Sequence, residues 1–119
     1  MKVLLVDDEE ELISAMAERL SLRGIAASCA VTYIDALDQA KIRAFDVAVL
    51  DVKMPTMSGF ELKSKLQEIR PDMKFIFLTG HGSDADFESA AQDIGKEYYL
   101  MKPLDINVLV QKLREVIIK

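Results

Sequence analysis

The sequence predicts an α/β protein built on a doubly wound, open sheet of five parallel strands. Three observations predict this class. The chain has 119 residues, enough for a single domain over residues 1–119 that buries its own core. Half of its residues are hydrophobic and 29% are charged, the balance of a globular rather than a disordered chain. Short apolar runs alternate with longer helical patterns, which favours a parallel sheet covered by helices on both faces.

Five apolar runs are the predicted strands: Val3–Val6, Ile25–Ala30, Phe45–Leu50, Phe75–Leu78 and Tyr98–Met101. Most are too continuous for a strand with one wet face, so we expect both of their faces to be covered. The second run is the least typical because it is rich in alanine. Five strands are too few to close an eight-stranded barrel, so the sheet is expected to be open.

A helix is predicted after each strand, and four of the helices have a start signal. A Ser, Thr or Asp that can cap free backbone N–H groups precedes an acidic residue by three positions. These capping residues are Asp8, Thr32, Ser58 and Ser83. Gly24 and Gly95 are placed to end the first and fourth helices, and Pro71 to end the third.

The first and last helices each carry an apolar face that can pack on the sheet. In the first helix the face comprises Leu12, Ile13, Met16, Ala17 and Leu20. In the last it comprises Ile106, Leu109, Val110, Leu113, Val116 and Ile117.

Polar side chains follow four of the five strands, at the edge where such sheets bind ligands. Asp7 and Asp8 follow the first strand, Asp51 the third, Thr79 the fourth and Lys102 the fifth. Carboxylates gathered at one edge repel one another unless a cation lies between them. A hard divalent cation such as Mg²⁺ takes oxygen ligands and accepts phosphate oxygens, whereas no cluster of His and Cys suggests zinc.

A lysine and a threonine beside these acids suit an anion. Lys102 can act as a point charge on a phosphoryl oxygen, and Thr79 can donate its O–H. The set therefore indicates a phosphoryl-transfer site with a carboxylate nucleophile. Asp51 is the predicted nucleophile because it stands alone at the end of the central strand, while Asp7 and Asp8 are paired and suited to hold metal.

Four segments resemble the receiver domain of bacterial two-component response regulators, the CheY-like superfamily. They are Val6-Asp7-Asp8, the run from Asp51 to Gly59, Leu78-Thr79-Gly80, and the run from Tyr99 to Pro103. Each segment is short, but the four occur in order at the family's spacing, and the resemblance covers the whole chain. It implies a flavodoxin-like strand order of 2-1-3-4-5.

The resemblance also implies the metal ligands and the acceptor. Asp51 would accept the phosphoryl group. Asp7, Asp8, Asp51 and the backbone carbonyl of Lys53 would hold Mg²⁺, with Mn²⁺ as a substitute.

By the same resemblance, Thr79 would be the switch hydroxyl, Lys102 the family's lysine and Tyr99 the switch aromatic. The peptide bond between Lys102 and Pro103 would be cis, which is rare for X–Pro bonds in general. We further hypothesise that Lys53 and His81, which flank the site, set the rate of autodephosphorylation.

The implied function is a phosphorylation-switched signalling receiver rather than an enzyme with turnover. A sensor histidine kinase or a histidine phosphotransfer protein would donate to Asp51. The face formed by the fourth helix, the fifth strand and the fifth helix would then change its affinity for an output domain or a downstream protein. The same face would carry a homodimer. The sequence leaves open whether the receiver acts alone or as part of a longer regulator.

Charge and composition argue against several other classes. The net charge of −5 disfavours direct nucleic-acid binding, which needs a basic surface. No apolar run is long enough to span a membrane, and no secretory signal is visible. The single cysteine, Cys29, cannot form an internal disulfide, which fits a cytoplasmic location.

Three alternatives remain at this point. The first is a receiver that binds partners without being phosphorylated. The second is an Asp-nucleophile phosphatase of the haloacid-dehalogenase type, although Lys53 stands where that family has its second Asp. The third is a flavin or dinucleotide binder, although no glycine-rich loop follows the first strand.

Overall fold

The structure, a computed structural model, describes residues 1–54, 57–80, 99–102 and 104–118. Within these ranges the strands are β1 (Lys2–Val6), β2 (Ala26–Ala30), β3 (Val47–Asp51), β4 (Lys74–Thr79) and β5 (Tyr99–Met101). The helices are α1 (Glu10–Ser21), α2 (Tyr33–Ile42), α3 (Gly59–Ile69) and α4 (Ile106–Ile118). Helix α4 is the predicted fifth helix, because the predicted fourth, with Ser83 and Gly95, lies outside the described residues.

The five strands form one sheet in the order β2-β1-β3-β4-β5, and every pair is parallel. The predicted doubly wound fold and its strand order are therefore confirmed. The central strand β3 is buried along its whole length, whereas β2 is only partly buried. Strand β2 lies at the edge of the sheet, which explains why it is rich in alanine and only partly buried.

Two apolar layers cover the two faces of the sheet, since successive side chains of a strand point to opposite sides. On one face Leu4, Leu50 and Phe77 pack with Leu62 and Leu66 of α3. The other layer joins strand residues to α1 and α4; among its members are Val3, Leu5, Val49, Ile76, Ile13, Leu20, Leu109 and Leu113. Burying each large aliphatic side chain stabilises the folded state by about 1.5–3 kcal/mol. These layers therefore hold the strand ends in fixed positions.

Two of the predicted helix caps are confirmed, and one is wrong. The hydroxyls of Thr32 and Ser58 accept hydrogen bonds from the N–H groups of the residues three positions later, at 3.1 and 3.2 Å. Asp8 does not cap α1. The N-cap residue is Glu9, which makes no capping bond, and Asp7 Oδ1 accepts from the Glu9 N–H at 2.9 Å. The Asp8 carboxylate lies instead with those of two other aspartates, described below.

The ends of the helices follow the predicted stop signals. Gly24 has a φ of +77°, and the N–H of Ile25 donates to the carbonyl of Leu20 at 3.0 Å, as in a Schellman motif. Helix α3 ends two residues before Pro71. The apolar stripe of α4 is narrower than predicted, because the packed line runs through Leu109, Val110, Leu113 and Val116 and leaves Ile117 39% exposed.

Candidate functional site

The carboxyl edge of the sheet holds every buried polar or charged residue among those described. These are Asp7, Asp51 and Thr79, which are 0%, 6% and 3% exposed. Asp7 directly follows β1, Asp51 is the last residue of β3 and Thr79 is the last residue of β4. Burying a charged group costs free energy unless an opposite charge lies beside it. The buried carboxylates at this edge therefore need cations close to them.

Asp7, Asp8 and Asp51 form an acidic cluster in which one carboxylate oxygen from each lies within 4.8 Å of the others. Asp8 is exposed, so the cluster opens to solvent on its side. Three carboxylate oxygens at this spacing, with no nitrogen or sulfur donor among them, suit a hard divalent cation. The residues present therefore fit a Mg²⁺ site.

Burial raises the pKa of Asp51 to about 6, and the negative charge of Asp7 adds to this effect. The charge of Lys102 and the N–H of Lys53, which donates to Asp51 Oδ1 at 3.3 Å, act in the opposite direction. Asp8 raises the pKa slightly further. A cation bound by the cluster would favour the ionised Asp51, which is the form that a nucleophile requires.

Within the described part of the chain, Lys102 is the cation paired with the acidic cluster. Its Nζ lies 2.7 Å from Asp7 Oδ2, 3.0 Å from Glu9 Oε1 and 3.8 Å from Asp51 Oδ2. Its backbone N–H donates to the carbonyl of Thr79 at 2.9 Å, which fixes the end of β5 against β4. Burial by itself lowers the pKa of Lys102, but its hydrogen bonds to Asp7 and Glu9, with the charges of Asp7 and Asp51, outweigh it and raise the pKa.

Tyr99 is buried in an aromatic cluster behind the acidic edge. Its ring stacks on Phe77 with centroids 5.3 Å apart and lies 6.5 Å from Phe60. Phe60 and Phe77 are themselves 4.9 Å apart. The aromatic residue singled out from the sequence therefore packs inward, between β4 and the start of α3. The two phenylalanines around it were not predicted, because Phe60 carries no polar group that could have marked it.

The loop from Asp51 to α3 passes unusually close to the end of strand β3. A β-carbon on Gly59 would lie 2.5 Å from the carbonyl oxygen of Asp51. The Gly59 N–H donates to the carbonyl of Val52 at 2.9 Å, and Lys53 bridges to Ser58 in antiparallel fashion. Glycine at this position thus lets the loop fold back and place the Lys53 backbone beside Asp51.

The structure brings together Asp7, Asp8, Asp51 and Lys102, and strand register places Thr79 at the same edge. His81 and Pro103, and with the latter the predicted cis bond, lie outside the described residues. Sequence analysis missed Glu9 as a partner of Lys102. The only available signal was its position directly after Asp8, which equally suits a solvated helix start.

An open parallel sheet with an acidic cluster and a lysine at its carboxyl edge defines a CheY-like α/β domain. The model of the response regulator receiver domain family matches residues 3–114. The chain belongs to this family, whose members are signalling modules of two-component systems.

Relatives agree with this assignment. The chain is 31% identical over 119 residues to the uncharacterized transcriptional regulatory protein YesN of Bacillus subtilis, covering 98% of this chain and 32% of YesN. It is 33% identical over 112 residues to the C4-dicarboxylate transport transcriptional regulatory protein DctD of Rhizobium meliloti. That match covers 94% of this chain and 24% of DctD. The chain therefore spans a third or less of these two relatives.

Solved structures show the same fold. A CheY-like receiver domain protein from Methanospirillum hungatei superposes with a TM-score of 0.85 at 30% identity, over 96% of this chain and 90% of that one. A response regulator from Burkholderia pseudomallei gives a TM-score of 0.82 at 30% identity, over 94% of this chain and 65% of that one. That structure contains a phosphorylated aspartic acid, a calcium ion and citrate.

No helix within the described ranges is both long and apolar enough to cross a membrane.

Proposed function

We propose that Asp51 accepts a phosphoryl group from a phosphohistidine of a sensor kinase or a phosphotransfer protein. A carboxylate oxygen of Asp51 forms a bond to phosphorus while the bond from phosphorus to the imidazole nitrogen breaks, and the electron pair leaves with the imidazole. The observation that carries this proposal is the buried acidic cluster with Lys102 beside it. The phosphorylated aspartate of the Burkholderia neighbour supports it.

Mg²⁺ is the cation proposed for this cluster, with Mn²⁺ as a substitute. Asp7, Asp8, Asp51 and the Lys53 carbonyl would hold it. When bound, Mg²⁺ would neutralise carboxylate charge and bind phosphoryl oxygens. The all-oxygen donor set supports this choice.

The chain's own residues would supply the remaining stabilisation. Lys102 has an ammonium group near Asp51 that can donate to a phosphoryl oxygen. Thr79, at the same edge, can donate its hydroxyl to the phosphoryl group once the group is in place. Tyr99 stacks on Phe77, which lies two residues before Thr79 on β4. A shift of the threonine would then change the space available to the ring.

Partner binding would be the readout. We propose that the face formed by the predicted fourth helix, β5 and α4 changes its affinity for an output domain or a downstream protein, and that it carries a homodimer. The transcriptional regulators matched are much longer than this chain, which supports an attached output domain. With its net charge of −5, this domain would leave DNA contacts to such a partner. The proposed donor kinase would place the domain in the cytoplasm.

We also propose that Lys53 and His81 tune the lifetime of the aspartyl phosphate, which the receiver would hydrolyse slowly. Lys53 is exposed two residues after Asp51, so its side chain can reach solvent near the proposed acceptor. Decay of the phosphorylated protein is measured for Lys53→Ala and His81→Ala. A changed rate supports the tuning role, and rates equal to wild type contradict it.

Intact-mass spectrometry tests the proposed reaction. The protein is incubated with acetyl phosphate in Mg²⁺ or in a chelator. We expect a gain of one phosphoryl group that requires Mg²⁺, persists in the control Asp38→Asn on the exposed side of α2, and is lost in Asp51→Asn. A gain that Asp51→Asn retains would contradict Asp51 as the acceptor.

A further inference from the structure

Among the described residues, Glu9 is the one that joins the Lys102 ion pairs from outside the predicted site. Its Oε1 lies 3.0 Å from Lys102 Nζ, and its side chain is 61% exposed. Asp7 Oδ2 lies 2.7 Å from the same nitrogen, whereas Asp51 Oδ2 is 3.8 Å away. The two contacts within hydrogen-bond distance therefore draw the ammonium toward the β1–α1 loop and away from the acceptor.

The position of Glu9 in the fold explains why it can reach the lysine. It is the N-cap residue of α1 but makes no capping bond with its side chain. Its N–H donates to Asp7 Oδ1 at 2.9 Å, so the backbone of Glu9 is fixed against the site. Its carboxylate is thus free of a helix-capping role and spans a separation of 93 residues to Lys102.

We propose that Glu9 is a positioning residue that holds Lys102 off Asp51 and thereby slows phosphorylation of the unphosphorylated receiver. The inference rests on the proposed function. As Asp51 forms its bond to phosphorus, the bond from phosphorus to the leaving oxygen or nitrogen breaks, and the leaving group keeps the electron pair. Lys102 must then turn toward a phosphoryl oxygen, so a contact made only before the reaction raises the barrier.

The Glu9–Lys102 ion pair is weak because the Glu9 side chain is 61% exposed, so its effect on the barrier is modest. Removing the Glu9 charge is expected to speed phosphorylation by about 1.5- to fivefold.

Glu10→Gln provides the matched control. Glu10 is the first residue of α1, is exposed, and loses the same charge at the same helix end. The ion pairs of Lys102 within the described residues are with Asp7, Glu9 and Asp51. An effect of the helix N-terminus or of net charge would therefore appear in both variants, whereas an effect of the Glu9–Lys102 pair would appear only in Glu9→Gln.

The kinetic test follows acetyl phosphate labelling in Mg²⁺ for wild type, Glu9→Gln and Glu10→Gln, each with and without Lys102→Ala. We expect the acceleration in Glu9→Gln only, and its loss in the Lys102→Ala background. Equal rates for wild type and Glu9→Gln would overturn the inference. An acceleration that persists without Lys102 would overturn it too, since Glu9 would then act on the donor alone. Failure of the wild type to be labelled by either acetyl phosphate or a phosphohistidine donor would instead reject the proposed function.

A second readout needs no phosphorylation. The ¹H–¹⁵N signal of the Lys102 ammonium, assigned by its loss in Lys102→Arg, reports its ion pairs directly. We expect this signal to shift or broaden in Glu9→Gln and to stay unchanged in Glu10→Gln. An unchanged signal in Glu9→Gln would overturn the pairing.

Discussion

The carbonyl oxygen of Asp51 lies 2.5 Å from the point where a β-carbon on Gly59 would stand. Real β-carbons essentially never approach an oxygen so closely. The Asp51 oxygen belongs to the backbone and a β-carbon is fixed directly to it, so neither atom can rotate away. Any side chain at this position must therefore push the start of α3 away from strand β3.

Gly59→Ala is expected to destabilise the protein by about 1–3 kcal/mol, as overpacking does elsewhere. It should also slow labelling of Asp51, because the loop carrying Lys53 moves with Gly59. Urea unfolding and acetyl phosphate labelling measure the two effects. Gly80→Ala is the control for stability, since a β-carbon there meets nothing within 4 Å. Equal stability of Gly59→Ala and Gly80→Ala would contradict the steric argument.

The raised pKa of Asp51 predicts a pH-dependent stability difference in metal-free protein. Burial and the Asp7 charge raise this pKa from 3.8 to about 6, so folding favours the protonated form. Above pH 6 the ionised Asp51 carboxylate therefore lowers the free energy of unfolding. Below about pH 4 the carboxyl is protonated in both the folded and the unfolded state, and this destabilisation is absent. Two pKa units correspond to at most about 3 kcal/mol, and solvent screening reduces this to roughly 1–2 kcal/mol.

Asp51→Asn removes that cost. In a chelator, its free energy of unfolding should match wild type near pH 4 and exceed it by roughly 1–2 kcal/mol at pH 7.5. Urea titrations of both proteins at several pH values give the difference directly. A difference that stays constant with pH would show that Asp51 titrates normally.

Metal binding to the acidic cluster predicts stabilisation by Mg²⁺ through mass action. At 100 times the dissociation constant, the free energy of unfolding rises by about 2.7 kcal/mol. Asp8→Asn should lose most of this gain while leaving the core intact, because Asp8 is exposed. Melting curves with and without Mg²⁺ test this, with Glu11→Gln as the control. A gain in Asp8→Asn equal to that of wild type would exclude Asp8 as a ligand.

The capping contacts predict opposite outcomes at two helix starts. Thr32→Ala removes a bond to the Asp35 N–H and is expected to cost about 1 kcal/mol. Asp8→Ala removes no cap and should stabilise metal-free protein, because it relieves repulsion within the acidic cluster. Urea unfolding in a chelator compares them. Equal destabilisation by both changes would mean that Asp8 caps α1 after all.

The sequence was sufficient for the fold because its signals are local. Apolar runs such as Val3–Val6 and caps such as Thr32 follow from residues that are near one another in the chain. The strand ends also located the acidic edge, since parallel strands bring their carboxyl ends together. Asp7, Asp51 and Lys102 could therefore be assigned to one place without coordinates.

Contacts that depend on side-chain direction could not be predicted. The Glu9 carboxylate meets Lys102 across 93 residues, and nothing in the local sequence of either residue marks the pair. The spacing from Asp8 to Glu11 matched a capping signal, but the Asp8 carboxylate lies with Asp7 and Asp51 instead. The close approach of Gly59 to Asp51 is likewise visible only once the loop has folded back.

Reductive mapping of the phosphorylated residue identifies the acceptor of the phosphoryl group directly. After incubation with acetyl phosphate and Mg²⁺, borohydride reduces an aspartyl phosphate to homoserine, and peptide sequencing by mass spectrometry locates it. We predict homoserine at position 51 in wild type, dependent on Mg²⁺, and none at Asp7 or Asp8. Homoserine at another aspartate, or labelling of wild type with unmodified Asp51, would contradict the proposed phosphoryl transfer to this residue.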